Sequence, residues 1–134
     1  MTTEQTILSL VFPEQIFEYF DPVEGTKDDQ TVSIVFEEKN IPPLSEADKD
    51  KTIVSKGFKD ITITDFPIRG RKTLLTFRRR YWQLEGQKEY LKRDIKLTFP
   101  GTQLEKEFAD FLKEDGGRSS GLAQFYRRVS RPPN

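Results

Sequence analysis

The stretch LLTFRRRYW (Leu74 to Trp82) sets Arg78, Arg79 and Arg80 side by side in a run patterned as a strand. Successive side chains of an extended chain point to opposite faces, so Arg78 and Arg80 share one face and Arg79 turns to the other. Three adjacent cations repel one another and need either acidic neighbours or an anion from outside. Guanidinium groups pair bidentately with phosphate and read guanine edges, while lysines act as point charges. The chemistry within reach is polyanion recognition. Its candidates are Arg69, Arg71 and Lys72 at a turn, Arg78, Arg80, Lys92 and Lys96 on the outer face of a hairpin, and Arg127, Arg128 and Arg131 near the end of the chain. Trp82 and Tyr90 fall near the open corner of that hairpin, suited to stack on a base or to cap the sheet edge. Arg79 shares its face with Leu75 and Phe77, and a guanidinium there requires an acidic partner, for which Asp65 and Glu89 are the candidates.

The balanced charge of the whole chain conceals a division. Met1 to Phe66 holds six lysines against 14 acidic residues, a net of −8, and Pro67 to Asn134 holds 16 basic against eight acidic residues, a net of +8. Between Arg69 and Lys96 ten basic residues face three acidic ones. Such a field attracts a polyanion, or is neutralised by the chain's own acidic half. Cysteine and histidine are both absent, which removes disulfides, the usual zinc ligands, thiol nucleophiles and imidazole acid–base chemistry together. The acidic pairs Asp28 and Asp29, and Glu37 and Glu38, have solvation as their ordinary role, and RGRK is too poor in glycine to cradle a phosphate. The expectation is a chain that is not an enzyme and binds no cofactor and no metal. No apolar run approaches the length of a membrane span and no signal peptide is visible, so the expected setting is the cytoplasm, with no membrane partner.

The elements that must position these residues follow from periodicity. At 134 residues one domain is expected. TEQTILSLVFPEQIFEYFD suggests one or two short helices, with Ile7, Leu8, Val11 and Phe12 as a packing stripe and a restart at Pro13. Pro22 to Gln30 is composed as a loop, Thr31 to Lys39 alternates as a strand, and Asn40 to Gly57 suggests a surface loop. Ile61 to Thr64, Thr73 to Trp82 and Tyr90 to Phe99 read as further strands, the last two as an antiparallel hairpin, with a turn at PIRGRK. Thr102 with Glu105 forms a capping box for a helix whose stripe is Leu104, Phe108, Phe111 and Leu112, stopped at Gly116 and Gly117. LAQFYRRVSR carries a second helical pattern. The fold class expected is α+β, a small antiparallel β-sheet with a central basic hairpin, short N-terminal helices and C-terminal amphipathic helices. Residues 12–100 would form the lead-in and sheet, and 102–129 a helix pair in the manner of a partial helix-turn-helix.

KGFKDITITDFPIRGRKTLLTFRRRYW, with EEKNIPP before it and RDIKLTFPGTQLEKEFADFLKE after it, resembles the N-terminal region of ISAon1-type transposases of Bacteroidetes insertion sequences over about Phe12 to Glu114. More distantly, Asp65, Pro67, Gly70, Arg71, Leu75, Arg78 to Arg80, Tyr81 and Trp82 are similar to the start of ISL3-type transposases, where the pattern leads into a zinc ribbon and then a helix-turn-helix. This chain lacks the cysteines, so the zinc role is lost. The resemblance implies a noncatalytic DNA-recognition region of an insertion-sequence transposase. Its implied partners are double-stranded DNA at the element ends, a separate or fused catalytic transposase chain, and, as an open question, further copies of itself. The other readings are a protein-interaction or structural module, and an inactive remnant.

Overall fold

The computed structural model describes residues 2–97 and 104–113. In chain order these form α1 (Thr3–Ser9), α2 (Ile16–Tyr19), β1 (Phe20–Lys27), β2 (Thr31–Glu38), a short 3-10 turn (Glu46–Asp48), β3 (Ile53–Ile68), β4 (Arg71–Leu84), β5 (Tyr90–Lys92) and α3 (Leu104–Lys113). The fold is α+β. One sheet runs in the order β1-β2-β4-β3, and β5 also pairs with β4. No helix among the described residues is long and apolar enough to cross a membrane. The chain divides into two compact units interleaved in sequence, one of Met1–Lys39, Asp60–Arg79 and Leu97–Glu105, the other of Asn40–Lys59, Arg80–Lys96 and Lys106–Asn134.

In the first unit β1 and β2 are antiparallel, from Phe20 opposite Glu38 to Lys27 opposite Val32, with an irregularity between Pro22 and Glu24. Proline cannot donate to a ladder, so its place on an edge strand beside that irregularity costs no sheet hydrogen bond. Composition had marked Pro22 to Gln30 as a loop, and residues 22–27 are instead strand. β2 and β4 run parallel, from Thr31 beside Lys72 to Glu37 beside Arg78, where an all-antiparallel sheet was expected. The whole of β3 intervenes between them, and that long excursion returns the chain alongside β2 in the same direction. Phe36 and Phe77 stack at 5.3 Å, Phe20 meets Phe77 edge-on at 5.2 Å, and Phe12 and Phe17 each meet Phe36 edge-on at 6.0 Å. Aromatic pairs in these geometries add to the burial term. The N-terminal stripe behaves differently from the expectation: Phe12, Ile16 and Phe17 are buried, but Ile7 and Val11 are exposed. α1 has no buried residue and is held by a capping box between Thr2 and Gln5 and by Gln5 Nε2 donating to Asp21 at 3.0 Å.

The second unit has its own core, Trp82, Leu84, Leu91 and Leu112, with Leu44 and Ile53 packed against it. Trp82 is fully buried and donates from Nε1 to Asn40 Oδ1 at 2.8 Å, so its polar edge is satisfied inside. Ile53 to Gly57, expected in a loop, opens β3. Gly57, at φ 157°, lies against Tyr81, whose hydroxyl would stand 2.9 Å from any added Cβ. Close approach of the ring is what requires glycine there. Of the strand expected from Tyr90 to Phe99, residues 90–92 are strand and 93–97 are not, while Thr98 and Phe99 lie outside the described residues; Lys92, assigned to an outer face, is buried, and so is Asp94. The α3 stripe is as the sequence indicates: Leu104, Phe108, Phe111 and Leu112 are all buried. Its expected cap Thr102, the stop at Gly116 and Gly117, and the second helical pattern with Arg127, Arg128 and Arg131 lie outside the described residues.

Candidate nucleic-acid interface

Arg79 is where alternation puts it, on the inward face of β4 with Thr73, Leu75 and Phe77, all buried. Its Nε donates to Glu38 Oε1 at 2.8 Å, and neither side chain exceeds 1% exposure. An acidic partner was expected, but Asp65 and Glu89 were the wrong choices. Glu38 was legible: it shares parity with Val32, Ile34 and Phe36, the inward face of β2, and a carboxylate at the end of such a stripe needs a cation.

Arg78 turns to the other face and meets three carboxylates. Nη2 is 3.8 Å from Glu24, Nη1 3.8 Å from Glu37 and Nε 3.8 Å from Asp60. It therefore stands at the centre of an acidic ring contributed by β1, β2 and β3. In the second unit Arg80 donates from Nη1 to Ser55 Oγ at 2.7 Å, and its guanidinium lies 4.5 Å from the centre of the Phe58 ring. Lys92, placed by sequence on the outer face, is a buried residue: Nζ donates to the Phe111 carbonyl at 2.7 Å and sits 4.4 Å over that ring. Its ammonium closes α3 onto β5 and is withdrawn from any external phosphate. Lys96 is exposed. Lys92 is thus not part of the outer basic face on which the sequence placed it.

The turn between β3 and β4 is a different case. Arg69 and Gly70 take φ 53° and 80°, the pair of left-handed residues that a two-residue hairpin turn needs. Glycine, asparagine and aspartate are the usual occupants of the first position, and arginine carries a Cβ penalty there. Arg69 and Lys72 are exposed, and so is Phe66, at 64%, close by on β3. Arg71 is partly exposed and donates from Nε to the Asp28 carbonyl at 2.8 Å. Lys72 N–H donates to the Gln30 carbonyl at 2.8 Å, tying the β1–β2 turn to the start of β4. The Asp28 carboxylate accepts the N–H groups of Gln30 at 2.8 Å and Thr31 at 2.7 Å. These two bonds, helped by Arg71, hold its carboxyl below the ordinary aspartate value. The hairpin end therefore presents Arg69, Arg71 and Lys72 together, above an acidic turn already committed to its own backbone. Among the described residues no group of three or more acidic side chains is arranged to hold a metal ion. Comparison finds no matching family model, no matching curated protein and no matching solved structure.

Proposed function

We propose that this chain is a noncatalytic DNA-recognition module of an insertion-sequence transposition system, acting in the cytoplasm on element ends with a separate or fused catalytic part. The observation that carries the reading is the β3–β4 turn, where Arg69 is held exposed in a left-handed conformation beside Arg71 and Lys72. An unfavourable backbone state kept at an exposed cation is the kind of strain that functional sites retain. A two-stranded ribbon is narrow enough to enter a DNA groove, and arginine at its tip meets phosphates or a narrow minor groove. The resemblance of KGFKDITITDFPIRGRKTLLTFRRRYW to transposase N-terminal regions supports the same reading.

A second reading, a protein-interaction or structural module, is favoured by the acidic ring around Arg78 and the burial of Arg79 and Lys92, because those cations are engaged by the chain itself. One experiment separates the two. Binding to a duplex carrying the terminal repeat of the neighbouring element is titrated at several salt concentrations for wild type, for Arg69→Ala with Lys72→Ala, and for Arg78→Ala with Arg80→Ala. The turn variant should lower the salt slope by about 2 and keep its unfolding midpoint, since phosphate contacts release counterions. The strand variant should change stability before it changes binding. If the turn variant binds as wild type, or no duplex binds more tightly than ~10⁻⁴ M at physiological salt, the second reading stands.

A further inference from the structure

An open groove of ≈ 400 Å³ lies between α1 and the β1–β2 pair, lined by Ile7, Leu8, Pro22, Val23 and Ile34. Glu4 and Glu24 are the two charged residues of its lining. A second hollow of ≈ 330 Å³ shares Gly25 and Ile34 with it and continues along the same strands. Ile7 and Val23 are exposed, and Leu10 and Val11, directly after α1, are exposed at 81% and 62%. Isolated apolar residues on a surface need no explanation, but a groove lined mainly by apolar residues is a patch of the kind that binds a partner.

The surrounding charge selects the partner. Residues 2–26 include five acidic residues and no lysine or arginine. Glu4, Glu14 and Glu18 are exposed; the positive groups near the groove are Arg78, at 3.8 Å from Glu24, and Lys27, at the far end of the second hollow. Such a surface repels nucleic acid and anionic lipid and attracts cations. An apolar channel bordered by carboxylates complements aliphatic side chains flanked by lysine or arginine. The groove continues into the second hollow along β1 and β2, which suits a polypeptide better than a small cation. We propose that this groove docks a basic amphipathic segment of a partner protein, a site separate from the β3–β4 turn.

The test uses the full chain and a fluorescently labelled, amidated leucine–lysine peptide of about fourteen residues, the length of an amphipathic anchor segment. Its leucine–glutamate counterpart serves as the control, and binding is read by anisotropy. Gly25→Leu adds bulk at a residue that lines both hollows, where an added Cβ meets nothing within 4 Å and the backbone is not left-handed. Ile7→Asn, on an exposed position of α1, removes apolar lining by an independent route. The expected result is that each variant weakens the lysine peptide by about tenfold or more while Arg69→Ala with Lys72→Ala leaves it unchanged, the equivalent of about 1.4 kcal/mol. Equal binding of the glutamate peptide, or unchanged binding by both variants, overturns the proposal. So does self-association of wild type in sedimentation that Gly25→Leu abolishes, since the occupant would then be a second copy. Failure of DNA binding at the β3–β4 turn would leave each of these outcomes readable.

Discussion

Arg79 and Glu38 form an ion pair sealed inside the first unit, Nε to Oε1 at 2.8 Å with both side chains essentially inaccessible. Replacing a single partner strands the other charge in the interior, which costs far more than the pair contributes. Arg79→Leu should therefore lose about 3–5 kcal/mol in a urea titration. The double variant with Glu38→Leu should recover most of that loss, because two apolar groups of similar volume carry no desolvation cost. A double variant as unstable as the single one would show that packing of the arginine stem, and not the charge, is what matters.

Arg78 answers to three carboxylates at 3.8 Å each, long for direct charge-assisted hydrogen bonds. Each contact of this kind is weak by itself. Its removal, however, leaves Glu24, Glu37 and Asp60 facing one another. Arg78→Ala should destabilise by on the order of 1 kcal/mol at low salt, and the loss should shrink at about 1 M salt, where screening acts over about 3 Å. A loss independent of salt, followed by thermal unfolding, would assign the effect to packing.

The Asp28 carboxylate is held below its ordinary value of 3.8 by the Gln30 and Thr31 N–H groups first and Arg71 last. A group whose folded-state value is depressed stabilises above its unfolded value and loses that contribution as pH falls through the folded one. Asp28→Asn should thus unfold at lower denaturant than wild type at neutral pH, and the two midpoints should converge as pH falls through the depressed folded-state value. A gap that persists in acid would mean that the turn depends on the side chain's shape and not on its charge.

Much of the architecture was legible because periodicity and capping are local. The stripe Leu104, Phe108, Phe111 and Leu112 gave α3, and alternation through Leu75, Phe77 and Arg79 gave the inward face of β4. What failed depended on contacts distant in sequence. Alternation beyond Tyr90 broke down because β5 ends at Lys92 and residues 93–97 follow no strand pattern, so Lys92 lies inside. The buried parity of β4 itself changes from Thr73, Leu75, Phe77 and Arg79 to Trp82 and Leu84, a slip that no local pattern marks. The partner of Arg79 lies 41 residues away, and choosing Glu38 over Asp65 or Glu89 required the β2–β4 pairing. At the candidate site the turn cations were legible as a cluster, but the left-handed conformation of Arg69 was not, since IRGR permits several turn geometries.

Arg69 joins the stability of the hairpin to the function proposed for it. At φ 53° an L-residue suffers a Cβ clash worth roughly 1–2 kcal/mol, which glycine avoids. Glycine also gives up more freedom on folding, so Arg69→Gly should gain about 0.5–1 kcal/mol net and raise the unfolding midpoint. The same change removes one exposed guanidinium, so DNA affinity should fall and the salt slope should drop by about 1. Arg69→Lys separates the two effects, because it keeps the charge and the strain but lacks the planar fork that engages phosphate bidentately. It should match wild type in stability and lie between wild type and Arg69→Gly in affinity. If Arg69→Gly is less stable than wild type, the side chain makes stabilising contacts that outweigh the strain. If it is more stable and binds DNA as well as wild type, the arginine is not kept for phosphate, and the turn loses its claim as the DNA-reading surface.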